Sequence, residues 1–330
     1  MVIVLTAALG YPVLGVAASA LSGVEIGTAL YLQRDPRIAP LAGATFYKQA
    51  DSSASRAAVA EADPRNRQLL EVIAAQPQGI WVGDWIPQAQ VASRVRAIGA
   101  AAGTTVPIFV IYAIPGRDCG QNSAGGSASE ADYSQWISQV AAGLGQRISV
   151  VVLEPDALAQ MDCLSTDGQA ARSRMLDGAV RQLSARAGTL VYLDAGGLDW
   201  HPAAVMAQRL RSAGVSEARG FALNVSNFHR TPEVMGYAEN LSALVGGARA
   251  VLDTSRNGNG ASPAGPQSWC NPPGRALGAP PTAATASTVI DALLWVKPPG
   301  ESDGVCGPGQ LPAGQFDIQR ALELARNAGY

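Results

Sequence analysis

Carboxylate side chains follow several apolar runs of this sequence, at the point where each run ends. Asp156 ends the hexapeptide VVLEPD, and Asp118 lies six residues after the run PIFVIY. Two neighbouring carboxyls can do acid-base chemistry, because the charge of one raises the pKa of the other and keeps it protonated. Hydrolysis of a glycosidic bond uses such a protonated acid, together with a second group that activates or directs water.

Polar residues recur at the same place after other apolar runs. They are Asp84, Asp194, Asn224, Asp253 with Arg256, and Lys297. In a parallel barrel the carboxyl ends of all strands share one rim, where the loops build the active site. The alternative for any one of these residues is a turn or a helix N-cap, positions that favour Asp and Asn. Their repetition favours a single acidic, polar-lined mouth.

Seven short apolar runs alternate with amphipathic stretches from Gly79 onward, which predicts β/α units around a parallel sheet. The predicted strands are Ile80 to Val82, Pro107 to Tyr112, Ser149 to Leu153, Leu190 to Leu193, Gly220 to Leu223, Ala248 to Leu252 and Ala292 to Val296. Apolar residues at three- and four-residue spacing predict crossover helices between them. These include Ala89 to Ala102, Ser129 to Gly145, Ala171 to Ala187 and Pro202 to Ala213.

The composition excludes several classes of protein. The 330 residues are 48% hydrophobic and 15% charged with a net charge of -2, which allows a full core and provides no basic surface for nucleic acid. The two histidines, His201 and His229, lie near no cysteine, so we expect no metal site and no cofactor. Gly258 and Gly260 follow a strand, but the chain then runs into Ser, Pro and Gly instead of a helix, which argues against a dinucleotide site.

The chain divides into an N-terminal segment and one predicted domain. Residues 1–35 begin with the apolar stretch VIVLTAALGYPVLGVAASAL and carry no basic residue before Arg34, so they are interpreted as a signal peptide or a membrane anchor. A buried helix is the alternative. Residues 36–330 then form one catalytic domain.

Export favours disulfides between the four cysteines, Cys119, Cys163, Cys270 and Cys306, and their spacing leaves three pairings open.

Seven segments together resemble the signatures of glycoside hydrolase family 6, the cellulases, and particularly its mycobacterial branch. They are YAIPGRDC (112–119), LEPDALA (153–159), YLDAG (192–196), GFALNVSN (220–227), DTSR (253–256), WCN (269–271) and WVKPPGESDG (295–304). They occur in the family's order and cover nearly everything from about residue 40 to the end. The resemblance implies a single-domain α/β fold, a distorted parallel β/α barrel, and hydrolysis of β-1,4-glucan with inversion.

The resemblance also implies roles for individual residues. Asp156 falls on the general acid, Asp118 on the aspartate that raises the pKa of the acid, and Asp303 on the disputed base. Tyr112 falls beside the reacting sugar. Arg117, Asp194, Lys297 and Glu301 match further residues that bind substrate. Asp84 and Asn224 are also expected to bind substrate, because they follow strands on the predicted rim. The pairing implied is Cys119 with Cys163 and Cys270 with Cys306.

Large aromatic side chains supply flat apolar platforms for sugar rings. Trp81, Trp200 and Trp269 resemble the family's subsite tryptophans, whereas Trp85, Trp136 and Trp295 are expected to have core or supporting roles. One departure concerns Gly197, which stands where the family commonly has a histidine.

The expected function is that of a secreted or membrane-anchored endo-β-1,4-glucanase, acting as a monomer on cellulose, soluble β-glucan or cello-oligosaccharides. The short segment from Lys297 to Gly314 favours an open cleft. An exo-acting cellobiohydrolase of the same family is one alternative. A non-catalytic glucan-binding protein is the other, although it would not need Asp118, Asp156 and Asp303 together.

Overall fold

The computed structural model describes residues 39–263, 265 and 268–330. The predicted export element, residues 1–35, lies outside these residues. Across the described ranges, none of the helices combines the length and the apolar character needed to span a membrane.

Seven parallel strands form one curled sheet in sequential order, which confirms the predicted barrel-like architecture. The strands are β1 (Ile80–Gly83), β2 (Ile108–Tyr112), β3 (Ser149–Leu153), β4 (Thr189–Asp194), β5 (Gly220–Leu223), β6 (Arg249–Asp253) and β7 (Ile290–Leu294). All seven predicted strands are present. The last strand begins and ends two residues earlier than predicted, because the chain leaves the ladder at Trp295 and turns toward β1.

The strands are apolar throughout because both faces of the sheet are covered. Successive residues point to opposite faces, so Ile111 and Leu153 pack against the helices while Val110 and Val152 fill the inside of the barrel. Every residue of β2 through β6 is buried. The rim at the carboxyl ends of the strands therefore rests on a rigid core.

The helices lie between the strands and outside them. The described residues contain α1 (Ser53–Ala60), α2 (Pro64–Ala74), α3 (Gln88–Ala102), α4 (Glu130–Leu144), α5 (Thr166–Ser184), α6 (Ala203–Ser212), α7 (Thr231–Leu244) and α8 (Ile318–Asn327). The four predicted crossover helices correspond to α3 through α6. The side chains of Ser129 and Ser165 cap α4 and α5 by accepting from the backbone N–H of the third residue of each helix.

The barrel is distorted where β1 meets β7. No ladder joins these strands; instead, the Gly79 N–H donates to the Trp295 carbonyl across 2.8 Å. The indole N–H of Trp81 also donates to the carbonyl of Val296 across 3.0 Å. A Cβ at residue 79 would lie 2.2 Å from the Val296 oxygen, so the close approach requires glycine. We call this junction the seam.

A buried ionic cluster joins β4 to β7 near the amino ends of the strands, at the end of the barrel opposite the rim. The carboxylate of Asp291 on β7 accepts from Arg219 at 2.7 and 3.0 Å, from Arg249 at 2.8 Å, and from the Tyr192 hydroxyl at 2.7 Å. Breaking one partner of such a cluster leaves an uncompensated buried charge, which is strongly destabilising. The cluster therefore supports the fold at a distance from the rim.

Candidate active site

A cavity of about 1000 Å³ lies on the rim formed by the carboxyl ends of the strands. The predicted site residues that line it are Trp81, Tyr112, Arg117, Asp118, Asp156, Trp200, Trp269, Lys297, Glu301 and Asp303. They come from loops far apart in the sequence. Of the polar strand-end residues expected to share one mouth, Asp118, Asp156 and Lys297 line this cavity, whereas Asp84, Asp194, Asn224, Asp253 and Arg256 do not.

Asp156 lies in the turn after β3 with its side chain half-buried in the cavity wall. Withdrawal from bulk water raises the pKa of Asp156 well above its ordinary value. The charges of Asp194, Asp118 and Asp303, in that order, raise this pKa further, whereas Lys297 lowers it. A carboxyl that keeps its proton near neutral pH can act as a general acid.

The backbone of Asp156 is held in an unusual conformation. Its φ is 71°, in the left-handed region that costs energy for a residue with a side chain, and Glu154 two positions earlier has a φ of 51°. The N–H of Asp156 donates to Oδ2 of Asp194 across 2.9 Å. Surrounding bonds therefore fix the turn that carries the carboxyl.

Asp118 occupies a short 3₁₀ turn after β2 and is also in the left-handed region, with a φ of 53°. Its Oδ2 accepts from the backbone N–H of Ser123 at 2.6 Å and from the Ser123 hydroxyl at 3.1 Å. Its Oδ1 accepts from Nε2 of Gln160 at 3.1 Å. Three donors thus hold this carboxylate, and Gln160 connects it to the loop that carries Asp156.

Asp194 lies behind the cavity wall at the end of β4. Its Oδ2 accepts from the N–H groups of Asp156 and Gly196 at 2.9 and 3.1 Å, while Oδ1 is buried with no partner among the described residues. Burial raises the pKa of Asp194 to about 7, and the two backbone hydrogen bonds oppose this shift. Asp194 does not line the cavity, so it supports Asp156 from behind.

Asp303 faces the cavity from the loop that follows the seam. Its Oδ2 accepts from Nη1 of Arg256 and from the N–H of Asn271, both at 3.0 Å. Its own N–H donates to Oδ1 of Asn271 at 2.8 Å. No described residue donates a hydrogen bond to Oδ1, which leaves that oxygen available.

Two disulfides flank these aspartates, with the pairing that the family resemblance implied. Cys119–Cys163 joins the residue next to Asp118 to the segment after Asp156 and closes a separation of 44 residues. Cys270–Cys306 joins the residue before Asn271 to the loop of Asp303 across 36 residues. Each bridge therefore holds one catalytic loop against its neighbour.

Arg117 and Asp84 bind each other rather than projecting alone into the cavity. Nη1 of Arg117 pairs with Oδ1 of Asp84 and donates to the Tyr112 carbonyl at 3.0 Å, while Nε donates to the Ser123 carbonyl at 2.7 Å. The guanidinium also lies 4.7 Å from the centre of the Tyr112 ring. This pair shapes the loop between Tyr112 and Ser123.

Trp81, Lys297 and Glu301 form the part of the cavity beside the seam. The rings of Trp81 and Tyr112 pack edge to face with centroids 5.3 Å apart, and Nζ of Lys297 lies 5.6 Å from the Trp81 ring centre. Burial raises the pKa of Glu301 to about 7, and the charges of Lys297 and Arg56 oppose the shift.

The other tryptophans divide between cavity and core. Trp200 and Trp269 line the cavity, and Trp269 is 39% exposed. Trp136 and Trp295 are buried, as predicted. The prediction for Trp85 is wrong: this residue is 54% exposed and lines the cavity, because its ring packs over the backbone of Gly83, where a Cβ would lie 2.2 Å from the ring.

Asp84 and Asn224 do not line the cavity, although both follow strands as the sequence indicated. The amide of Asn224 donates to the carbonyls of Asp253 and His229 at 2.9 and 3.2 Å, and its Oδ1 accepts from the N–H of His229. Asn224 therefore fixes a loop of the rim. Direct contact between either residue and substrate stays a prediction from their strand-end positions.

Two supporting residues, Glu154 and Gln160, did not stand out in the sequence, and a third, Arg256, was noted there only as a residue of the rim. Glu154 is fully buried, and its carboxylate accepts from the N–H groups of Ala113 and Ile114 at 3.0 to 3.1 Å, tying the end of β2 to the end of β3. Gln160 binds Asp118, and Arg256 binds Asp303. Both Glu154 and Gln160 flank Asp156 closely, which is the signal that could have identified them.

The geometry fits hydrolysis by carboxyl groups. It brings together a carboxyl whose pKa is raised by burial and by neighbouring charges, a neighbouring carboxylate bound by three donors, and a third carboxylate with an available oxygen. Within the described ranges, no group of three or more His, Cys, Asp or Glu side chains is placed to hold a metal ion. Aromatic rings on several sides supply surfaces for sugar rings.

Comparisons with known proteins agree with this geometry. The chain matches the family described as glycosyl hydrolases family 6 over residues 41–329. It is 47% identical to Endoglucanase A of Cellulomonas fimi over 80% of this chain, and 44% identical to Endoglucanase A of Thermobispora bispora over 86%. It spans 57% and 62% of the lengths of those two proteins.

A solved structure is also similar. It is the endoglucanase Cel6 from Mycobacterium tuberculosis in complex with methyl-cellobiosyl-4-deoxy-4-thio-β-D-cellobioside, which matches with a TM-score of 0.87 and 47% identity over 89% of this chain and 100% of that chain. Four proteins named exoglucanases or cellobiohydrolases match at 29 to 34% identity.

Proposed function

The chain belongs to the glycosyl hydrolases family 6, and we propose that it hydrolyses internal β-1,4-glucosidic bonds of cellulose or soluble β-glucan, with inversion at the anomeric carbon. The observation that carries this proposal is the state of Asp156. Its carboxyl faces a cavity of about 1000 Å³, and burial together with three neighbouring aspartates raises its pKa.

Asp156 acts as the general acid in this mechanism. Cleavage leaves negative charge on the departing glycosidic oxygen, and a proton from Asp156 neutralises it in the transition state. Asp118 and Asp194 keep the proton on Asp156 until that moment, because a second negative charge so close to theirs is unfavourable.

Asp303 acts as the base that receives a proton from the attacking water. Its Oδ2 is occupied by Arg256 and Asn271, and Oδ1 can accept from water. Arg256 also fixes the carboxylate in place. A substrate of neutral hydroxyls is then held by the tryptophan surfaces and by polar groups around the reacting sugar, namely Tyr112, Lys297 and Glu301.

Endo action is supported by the relatives and by the cavity. The relatives named endoglucanases are the more similar ones, at 44 and 47% identity. Trp85 and Trp269 line the cavity while 54% and 39% exposed. We expect a rapid fall in the viscosity of carboxymethylcellulose early in the reaction; release of soluble sugar with unchanged viscosity would instead indicate action at chain ends.

Product stereochemistry tests the inverting mechanism. Attack by water on the face opposite the leaving group converts a β-linkage into an α-anomer. Proton NMR during the first turnovers should therefore show the α-anomer before mutarotation. Initial release of the β-anomer would require a covalent intermediate and would overturn this mechanism.

The two disulfides support a proposal for the place of action. Both disulfides persist only in an oxidising compartment, so we propose that the protein is exported and works outside the cell as a monomer. Fractionation should find it in the medium or at the outer face of the membrane. Recovery with reduced thiols from the cytosol would contradict export, and a solution mass well above 33.9 kDa would contradict the monomer.

A further inference from the structure

The cavity extends past the residues around the reacting sugar and across the seam between β1 and β7. Besides Trp81 and Glu301 it is lined by side chains from the segment before and within α1 and from the connection between α2 and β1. We call this end of the cavity the seam pocket and define it by Gln49, Ser53, Arg56, Gln76 and Gln78. The mechanism above uses none of these residues.

Gln78 supplies a fixed acceptor in the seam pocket. The residue is 9% exposed yet lines the cavity, and its Nε2 donates to the Ile73 carbonyl across 2.9 Å. That bond fixes the amide, and no described residue donates to its Oε1. This oxygen can therefore accept a hydrogen bond from a ligand in the cavity that Gln78 lines.

Arg56 supplies an oriented donor in the same pocket. Its Nη1 donates to the carbonyl of Asp51, and its Nη2 lies 3.2 Å from the hydroxyl of Ser53, so the guanidinium is held by its own segment. Its Nε has no partner among the described residues. Arg56 and Glu301 line the same cavity.

The combination of donor and acceptor indicates the chemistry of the ligand. An anion would satisfy Arg56 but not the Gln78 oxygen, which needs a donor. A hydroxyl both donates and accepts, and a glucosyl unit presents neighbouring hydroxyls that can reach both. Gln49 and Gln76 add amide groups that also pair with hydroxyls.

We propose that the seam pocket is a further glucosyl-binding subsite, in which Arg56 and Gln78 bind the hydroxyls of the sugar next along the chain from the one beside Trp81 and Glu301. The proposal rests on the proposed function, since it assigns the same glucan to a second part of the same cavity. Unlike the tryptophan surfaces, this subsite recognises hydroxyls by hydrogen bonds.

Cello-oligosaccharides of four, five and six units test the subsite. In the wild-type protein, we expect the added unit that reaches the seam pocket to raise kcat/KM about tenfold, the effect of one or two good hydrogen bonds. Arg56→Met keeps the apolar stem and removes the donors, and Gln78→Leu removes the acceptor. Each should reduce the gain on adding that unit to about twofold.

A matched variant controls for loss of a surface arginine. Arg174 on α5 pairs with Glu130 and does not line the cavity, so Arg174→Met should keep the wild-type gain with chain length. Thermal unfolding of each variant separates misfolding from lost contacts. A full wild-type gain in both Arg56→Met and Gln78→Leu would overturn the proposal.

Calorimetry with Asp156→Asn separates failure of the subsite from failure of the proposed function. If the wild-type protein cleaves no cello-oligosaccharide, the proposed function fails, and binding can still be measured against chain length. Affinity that rises with the added unit, and loses this rise with Arg56→Met, supports the subsite. If the affinity does not depend on the added unit, with or without Arg56→Met, the proposed subsite is overturned.

Discussion

The backbone N–H of Asp156 donates a 2.9 Å hydrogen bond to the carboxylate of Asp194, so one aspartate holds the turn that presents the other. Asp194 is buried behind the cavity wall, and Asp156 is half-buried at its surface. Because their charges interact, this arrangement also raises the pKa of Asp156. The same contact thus controls both the position and the protonation of the proposed acid.

Replacement of the acid tests its role directly. Asp156→Asn keeps the size of the side chain but cannot donate a proton, and we expect kcat to fall about a thousandfold. Binding of cello-oligosaccharides, measured by calorimetry, should be largely kept because the tryptophans and Lys297 remain. Wild-type turnover in this variant would contradict the assignment.

Asp118→Asn should move the pH dependence of activity to lower pH. The charge of Asp118 is one cause of the raised pKa of Asp156, so its removal lowers that pKa and Asp156 loses its proton earlier as pH rises. The alkaline limb of the kcat/KM profile should shift down by about one pH unit. Glu239→Gln, an exposed change on α7, should leave the limb in place; an unmoved limb in Asp118→Asn would exclude this role.

Gln160 positions Asp118 by a 3.1 Å hydrogen bond, and its own N–H donates to the carbonyl of Asp156 at 2.8 Å. Gln160→Leu removes the donor to Asp118 and also removes the buried Oε1 that has no partner among the described residues. We expect kcat to fall about tenfold. The midpoint of thermal unfolding should change little, because the variant loses one hydrogen bond but also no longer buries an oxygen without a partner. Gln182→Leu, on the outer side of α5, is the control. Unchanged kcat and an unchanged pH profile would exclude the positioning role.

The disulfide next to Asp118 should stabilise both the fold and the site. Replacing Cys119 and Cys163 with Ser opens a loop of 44 residues, which is expected to cost about 2 to 4 kcal/mol of unfolding free energy. Urea denaturation measures this loss. Activity below the midpoint should also fall, because the turn carrying Asp118 loses its link to the Asp156 loop. Equal activity in folded variant and wild type would restrict the bridge to stability alone.

We expect the protein to be more stable in mild acid than at neutral pH, because it contains buried carboxyls with raised pKa values. Burial raises the pKa of Glu154 from 4.5 to about 7, so the folded state binds more protons than the unfolded state between those values. Stability therefore falls as pH rises from about 4.5 to 7. Glu154→Gln cannot titrate at this position. The difference in unfolding free energy between pH 5 and pH 7.5, measured by chemical denaturation, should therefore be smaller in the variant by on the order of 1 to 3 kcal/mol. An identical pH dependence in both proteins would show that Glu154 is not a source of it.

Much of the fold could be predicted because its signals are local. The runs that became β2, β3 and β5 are apolar along their length, and such runs between amphipathic stretches indicate strands buried on both faces. The polar residues after them marked the rim. In contrast, α1, α2, α7 and α8 were not among the predicted helices, and of these four α7 has the weakest apolar periodicity.

The site was predictable in its residue types and less so in its geometry. Trp85 illustrates the limit: the sequence suggested a supporting role, but Gly83 lets its ring lie over the backbone at the cavity. Gln78 and Arg56 gave no signal, because their position depends on how α1 and the end of α2 pack against the seam. Such contacts join residues more than 200 positions apart, as Gly79 and Trp295 show.

The sequence by itself determined the seven strands, their parallel order, the polar rim and the family, because strand propensity, turn residues and motifs are properties of neighbouring residues. Only the tertiary structure decided which rim carboxyls face the cavity and which support it from behind. Asp156 and Asp194 each follow an apolar run, yet the left-handed turn at Asp156 directs its carboxyl to the cavity while Asp194 accepts the N–H of that turn. Side-chain direction at a strand end depends on backbone dihedrals and on partners from other strands, and these are fixed only when the barrel closes.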